Sequence, residues 1–223
     1  MANILAIDTT GEFGSIALVN MTEVIEEVPL HSPEGHAHIL FDQIARLLAR
    51  HSVSIRDIDC FASASGPGSF TGVRVGLTAA KGLAETAGKR VVAVSNLRAV
   101  ASFGDGELRA AVLDARRGEV YAALFDRSLV EVLPERVTKL RAWLESLPGG
   151  DIEFITPTPA LFAPAIAASR HGSAPVRQAL RTLAGAIGRI AAAAYSRGLA
   201  QDPAAVDANY VRRSDAELFW TEK

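Results

Sequence analysis

Short apolar runs and helically spaced apolar residues alternate along the first half of the chain. The segment NILAIDTTGEFGSIALV places two apolar runs around a polar turn, which predicts a pair of antiparallel strands, and EVIEEVPL predicts a third strand. Apolar residues recur at helical spacing over residues 36–51, so an amphipathic helix is expected there. The short apolar strand IDCFASAS then precedes a second predicted helix, residues 70–87, which ends at Gly88.

The second half of the chain repeats this plan. RAAVLDARRGEVYAALFD contains an apolar run, Asp114, a polar turn and a second apolar run, as the opening of the chain does around Asp8. Helices are expected over VTKLRAWLESL and over residues 178–197, with a strand at DIEFIT. The repeat predicts an α/β protein of two related lobes. The Gly-Asp-Gly cluster favours a boundary that gives lobes of residues 1–105 and 106–223.

Composition narrows the functional classes. The chain has 223 residues, 49% of them hydrophobic, and a net charge of -2, so it carries no overall basic field for strong binding of nucleic acid by itself. The single Cys60 excludes an intramolecular disulfide and lies in an apolar run typical of a core position. The N-terminus lacks the basic region of a secretory signal, and LAGAIGRIAAAAY is too short to span a membrane. These features favour a cytoplasmic protein.

Two acidic turns are candidates for phosphate chemistry. Asp8 ends a predicted strand and precedes Thr9 and Thr10, a pattern that suits either a metal-bound phosphate or an ordinary hairpin turn. Asp114 occupies the matching place in the second half, and paired acidic turns clamp the nucleotide in actin-like ATPases. Arg116 and Arg117 follow Asp114 directly, where they either pair with it or face solvent.

The glycine-rich stretch SASGPGSFTGVRVGL precedes the second predicted helix but fails as a phosphate loop. It lacks the Gly-Lys-Ser or Gly-Lys-Thr that a Walker A motif needs. Small residues instead recur every four positions, which on a helix gives a stripe that allows close approach of another backbone. The neighbour is either internal or another protein. The stripe consists of Gly72, Gly76, Ala80 and Ala84.

Other catalytic patterns find little support. His36 and His38 are two positions apart and point to different faces of a helix, whereas a helical metal pair needs a spacing of three or four. The sequence GPGSFTG also lacks the Gly-x-Ser-x-Gly spacing of a hydrolase nucleophile elbow.

Several motifs together resemble the TsaB (YeaZ) family of bacterial tRNA threonylcarbamoyladenosine biosynthesis proteins. The similarity is carried by ILAIDTTGEFGSIAL, ASGPGSFTGVRVGLTAAKGLA, VLDARRGEVYAALFD and NYVRRSD, in order along the chain. The resemblance implies an actin-like, ASKHA (ribonuclease H-like) fold with a mixed sheet flanked by helices in each lobe. It implies a non-catalytic, scaffolding partner of the paralogue TsaD, which forms N6-threonylcarbamoyladenosine at position 37 of tRNAs reading codons that begin with A.

The resemblance also implies cofactors and partners. ATP and metal are expected in the partner subunits, TsaD and the small ATPase TsaE, and none in this chain alone. The TsaD helix that holds metal carries His-x-x-x-His, whereas here only His36 and His38 are present. Contact with tRNA is expected indirectly through the complex, and a homodimer would use the same surface as TsaD. The alternative is an active ATPase or sugar kinase that uses Asp8 and Asp114.

Site residues follow from the same resemblance. The paralogue is expected to pack on the helices at residues 36–51 and 70–87. The Asp8 and Asp114 turns are then vestiges of a nucleotide site, and the basic and aromatic tail either reaches RNA or a partner or is solvated. The candidate residues are Gly72, Gly76, Ala80 and Ala84 with His36, Phe41 and Arg46 at the partner interface, Asp8, Thr9, Thr10 and Asp114 in the vestigial turns, and Arg212, Arg213 and Trp220 in the tail.

Overall fold

A computed structural model describes residues 2–21 and 23–211 of the chain. Within these ranges the strands form two five-stranded mixed sheets built on one plan. In each sheet three successive strands pair antiparallel, and the two later strands lie parallel to the first of them. The first sheet has the order β3-β2-β1-β4-β5, with β1 (Ile4–Asp8), β2 (Gly14–Val19), β3 (Val24–Leu30), β4 (Cys60–Gly66) and β5 (Arg90–Ser95). The second has the order β8-β7-β6-β9-β10, with β6 (Leu108–Asp114), β7 (Val120–Asp126), β8 (Glu131–Thr138), β9 (Ile152–Thr156) and β10 (Val176–Gln178).

The helices agree with the sequence patterns where apolar periodicity is strong. The helix expected at residues 70–87 has those bounds and ends at Gly88, whose left-handed φ of 65° caps it. The helix expected from residue 36 begins only at residue 40, after a 3-10 turn at His36–His38. None of the helices in the described ranges is both long and apolar enough to cross a membrane. The helices are α1 (Leu40–Arg50), α2 (Phe70–Ala87), α3 (Asn96–Ala101), α4 (Leu140–Ser146), α5 (Pro159–Ala167) and α6 (Ala184–Ser196).

Three differences from the sequence predictions lie in the second half. The long helix expected over residues 178–197 begins only at residue 184, and residues 176–178 instead pair with β9 as a strand. The edge strand β8 and helix α5 were not predicted. The mostly half-exposed β8 contains Pro134 and charged residues, so its apolar alternation is weak, as is common for edge strands.

The first sheet is covered on both faces. Leu5 and Ile7 of β1 join one core with the apolar faces of α1 and α2. Ala6 and Val19 project from the opposite face, where α6 lies close enough that a Cβ on Gly188 would overlap Val19. Successive residues of a strand point to opposite faces, so the fully buried β1 is apolar at consecutive positions.

Contacts divide the chain into two units that differ from the lobes expected from the sequence. Among the described residues, the first unit contains residues 2–21, 23–99 and 181–209, and the second contains residues 100–180 and 210–211. Helix α6 belongs to the first unit because it packs on that sheet, although it follows most of the second unit in sequence. The expected boundary near residue 105 placed this helix in the second lobe.

The Gly-Asp-Gly loop is a packed part of the second unit rather than a free linker. Buried Glu153 accepts hydrogen bonds from the backbone N–H groups of Asp105 at 2.7 Å and Gly106 at 2.8 Å. A Cβ on Gly106 would lie 3.1 Å from the side chain of Glu153, so glycine permits this close approach. Burial alone would raise the pKa of Glu153, but hydrogen bonds from Arg177 and the loop hold that pKa below its usual value.

Helix α6 is capped by a residue distant in sequence. The buried hydroxyl of Ser15 accepts a hydrogen bond from the N–H of Ala184 at 3.0 Å and donates to Glu27 at 2.8 Å. Leu183, at the N-cap position, supplies no side-chain bond. The β2 strand therefore satisfies a backbone donor that the helix leaves open at its start.

We expect Ser15→Ala to lower the free energy of unfolding by about 1–3 kcal/mol, because it leaves a buried N–H without an acceptor. Ser196→Ala is the matched control, since the Ser196 hydroxyl at the exposed end of α6 bonds only a carbonyl of its own helix. Urea unfolding of the two variants measures the difference. Equal stabilities would contradict a capping role for Ser15.

Candidate functional site

The turn after β1 holds a buried polar network. Asp8 is 2% exposed, and its Oδ1 accepts hydrogen bonds from the backbone N–H of Thr10 at 2.9 Å and the Thr10 hydroxyl at 2.6 Å. Asn96, at the start of α3, donates to Thr10 Oγ1 at 2.7 Å and accepts from the N–H of Gly66 at 3.0 Å. The network joins the ends of β1, β4 and β5.

The environment of Asp8 disfavours its charged form. Burial raises the pKa of Asp8 above its usual value, and hydrogen bonds from Thr10 and Asn96 offset part of that rise. A metal-binding carboxylate needs to be ionised, and this one is enclosed by its own chain. In the described part of the chain, no group of three or more His, Cys, Asp or Glu residues is arranged to hold a metal ion.

The glycine-rich loop before α2 packs directly on the same turn. The N–H of Ser69 donates to the carbonyl of Thr10 at 2.7 Å, and the Thr9 hydroxyl donates to the carbonyl of Gly72 at 2.6 Å. A Cβ on Gly68 would lie 2.7 Å from the Thr10 side chain. Because this loop already covers Thr9 and Thr10, the turn does not fit a metal-bound phosphate.

Asp114 in the second unit has a different environment. Its side chain is 35% exposed and accepts a hydrogen bond from the N–H of Arg116 at 2.8 Å. The Arg116 guanidinium lies 3.7 Å from Asp114 but is 84% exposed, so both expectations for this arginine apply. Although Asp8 and Asp114 occupy matching positions in the sequence, the carboxylate of Asp8 is buried and that of Asp114 lies at the surface.

The stripe of small residues on α2 faces the interior of its own unit. A Cβ on Gly76 would lie 2.7 Å from Thr9 Oγ1 and 3.0 Å from Ser63 Oγ, and one on Gly72 would overlap the Thr9 carbonyl. Ala80 and Ala84 are fully buried. The expectation that this stripe forms the partner interface is therefore wrong, because β1 and β4 of the same chain are its neighbours.

The opposite side of α2 is exposed. We call Arg74, Thr78, Gly82 and Thr86, which follow one another every four residues, the outer face of α2. A Cβ on Gly82 would meet nothing within 4 Å. A glycine in a helix interior costs about 1 kcal/mol relative to alanine, and here no contact within the described chain requires it. The sequence contains this second line of residues, but periodicity alone could not tell which line faces inward.

The residues expected on the first helix differ in placement. Phe41 is 57% exposed, and the exposed Arg46 pairs with Asp42 at 2.8 Å, so both lie on the solvent side of α1. His36 lies in the preceding 3-10 turn, where its Nε2 is 2.9 Å from the carbonyl of Gly11 and its Nδ1 is buried. His36 thus ties two loops together rather than extending the α1 surface.

The remaining residues singled out in the sequence are Cys60 and those of the C-terminal tail. Cys60 is fully buried, and burial raises the pKa of its thiol to about 12, in keeping with a core position. Arg212, Arg213 and Trp220 of the tail lie outside the described residues.

Comparison with known proteins assigns the chain to a family. The family model for TsaD, the tRNA N6-adenosine threonylcarbamoyltransferase, matches residues 23–202. The tRNA threonylcarbamoyladenosine biosynthesis protein TsaB of Bacillus subtilis (strain 168) is 32% identical, over 98% of each chain. This chain belongs to the TsaB family. The TsaB of Escherichia coli (strain K12) is 40% identical over 56% of this chain and 55% of its own length.

A solved structure supports the same assignment. YeaZ from Pseudomonas aeruginosa is 25% identical and superposes with a TM-score of 0.78, covering 94% of this chain and all of that one. The TsaB-family chain therefore has the expected actin-like fold, with a mixed sheet flanked by helices in each half. The repeated strand order of the two sheets is the internal duplication predicted from the sequence.

Replacing glycine by alanine should have opposite effects on stability in the inward-facing stripe and on the outer face of α2. Gly76→Ala should destabilise the protein, because its Cβ would collide with Thr9, whose hydroxyl is already bonded to Gly72. Gly82→Ala should stabilise it by about 0.5–1 kcal/mol through helix propensity. Chemical denaturation of both variants checks this, and a stabilising Gly76→Ala would show that the inner packing is loose.

The raised pKa of Asp8 predicts a pH dependence of stability. In the unfolded chain Asp8 ionises near its ordinary pKa of about 3.9, whereas the folded protein holds the proton to higher pH. The Asp8 contribution is therefore fully present below the unfolded pKa and is lost as pH rises through the folded one. We expect Asp8→Asn to lose less stability than the wild type between pH 4 and neutrality, as measured by unfolding at several pH values. Parallel curves for the two proteins would contradict this.

Proposed function

We propose that this chain is a non-catalytic, activating subunit for a TsaD-like transferase that forms N6-threonylcarbamoyladenosine at position 37 of tRNAs reading codons that begin with A. The observation that carries the proposal is similarity to a TsaB protein along 98% of the chain. A TsaE-like ATPase completes the complex, and the pathway's tRNA substrate fits work in the cytoplasm.

The geometry of the acidic turns supports an activating rather than catalytic role. Asp8 is enclosed by Thr10 and Asn96, and the loop before α2 occupies the space above Thr9 and Thr10. We infer that ATP and metal act in the partner subunits and that this chain alone binds neither. The alternative, an ATPase or sugar kinase using Asp8 and Asp114, is disfavoured by the same geometry and by the family.

We place the contact with the transferase on the outer face of α2 and on the solvent side of α1. Gly82 leaves room for a partner backbone, and Phe41 offers an exposed aromatic side chain of the kind that anchors interfaces. Arg74 lies 3.8 Å above the Phe70 ring and holds a second aromatic at the start of the same face. A homodimer of this chain would compete for the same surface.

A reconstitution tests the function. Transfer of the threonylcarbamoyl group to tRNA by the TsaD-like and TsaE-like partners should require this chain, and the chain alone should show no transfer. Nucleoside analysis of the tRNA is the measurement. Full transfer with the chain omitted would contradict the proposal.

A pair of substitutions tests the surface. Gly82→Leu should abolish co-purification with the transferase, because its side chain fills the space a partner helix needs, while the variant stays folded. Gly82→Ala is the control, because it adds one methyl group and should retain much of the binding. Wild-type affinity of Gly82→Leu would place the interface elsewhere.

A further inference from the structure

The turn between β6 and β7 contains three consecutive residues with left-handed backbone. Arg116 has a φ of 63°, Arg117 of 55° and Gly118 of 70°. This conformation costs a residue other than glycine roughly 1–2 kcal/mol, and asparagine or aspartate tolerates it best. A turn of this shape would be most stable with asparagine or glycine throughout, so two successive arginines call for another explanation.

Folding contacts do not provide that explanation for Arg116. Its guanidinium is 84% exposed and lies 3.7 Å from the carboxylate of Asp114. An ion pair at the surface contributes little to the free energy of folding. Backbone bonds maintain the turn instead. The N–H of Ala115 donates to the carbonyl of Glu119, and the N–H of Glu119 donates to the carbonyl of Arg116, both at 3.0 Å. Strained backbone that packing does not require is typical of functional sites.

A third cation lies against the same turn. Lys139 Nζ donates to the carbonyl of Arg117 at 3.2 Å and is 3.9 Å from the Cβ position of Gly118. We call Arg116, Arg117 and Lys139 the basic turn. All three side chains are exposed, so their positive charges lie at the protein surface at one end of the β6–β7 hairpin.

We propose that the basic turn binds the phosphate backbone of the tRNA substrate. Guanidinium groups match phosphate oxygens bidentately, and backbone phosphates are the usual contacts by which proteins position nucleic acid. Lysine, in contrast, is depleted at protein–protein interfaces. The inference rests on the proposed function, and it adds a direct contact with tRNA to the indirect one that the family resemblance implies.

The test uses the double variant Arg116→Asn/Arg117→Asn, in the complex with the TsaD-like partner. Asparagine suits the left-handed backbone, so the variant should fold at least as well as the wild type. Affinity for tRNA is measured over a series of salt concentrations. We expect several-fold weaker binding, and a slope of log K against log salt reduced by about one for each arginine.

Arg127→Asn is the matched control. Arg127 lies in the turn at the opposite end of β7 and forms an exposed ion pair with Glu107 at 3.0 Å, so its loss removes a similar charge from the same unit. This variant should bind tRNA with wild-type affinity and slope. An equal loss in Arg127→Asn would show that overall charge, not the basic turn, is responsible, and would overturn the proposal.

The other outcomes are also decisive. Unchanged tRNA binding by the double variant would overturn the proposal, as would loss of co-purification with the transferase, which would make the turn a protein contact. Failure of the proposed function appears separately, as transfer that does not require this chain. If transfer does not require this chain, the proposal is tested by measuring the salt-dependent binding of tRNA to the isolated chain. Weaker binding by the double variant than by Arg127→Asn would then support the basic turn as the tRNA site, and equal binding would overturn it.

Discussion

The close approach of α2 to the turn after β1 is the constraint on which the rest of the first unit depends. Gly72 and Gly76 have no room for a side chain, because the carbonyl and hydroxyl of Thr9 occupy that space. The helix can therefore lie directly on β1 and β4 while Val73 and Leu77 fill the shared core. Two glycines that weaken an isolated helix thus become a condition for packing it.

This packing also determines the chemistry of the acidic turn. With the loop before α2 bonded to Thr10, the Asp8 carboxylate is enclosed among hydroxyl and amide donors instead of facing solvent. Its raised pKa is a consequence of that burial. The turn at Asp8 is therefore a packed structural element of the first unit, whereas the outer face of α2 is exposed.

The sequence predicted most of the fold because its strongest signals are local. Apolar runs, the helix that ends at Gly88 and the repeat around Asp8 and Asp114 are visible within short windows, and the structure confirms the duplicated sheets. Edge strand β8 carries no such signal, and α6 joins the first unit through contacts across the chain. Its cap, Ser15, is far away in sequence, so no window could include it.

The sequence by itself determined the family, the two-sheet plan and the presence of small residues every four positions on α2. Tertiary structure decided that this line faces inward and that the outer face of α2 is exposed, because both lines have the same helical spacing and only the inner one packs against Thr9. It likewise decided that Asp8 is buried while Asp114 is at the surface, although both follow the same local pattern. Spacing along a chain specifies a face of an element, whereas burial and charge depend on the neighbours that folding brings to that face.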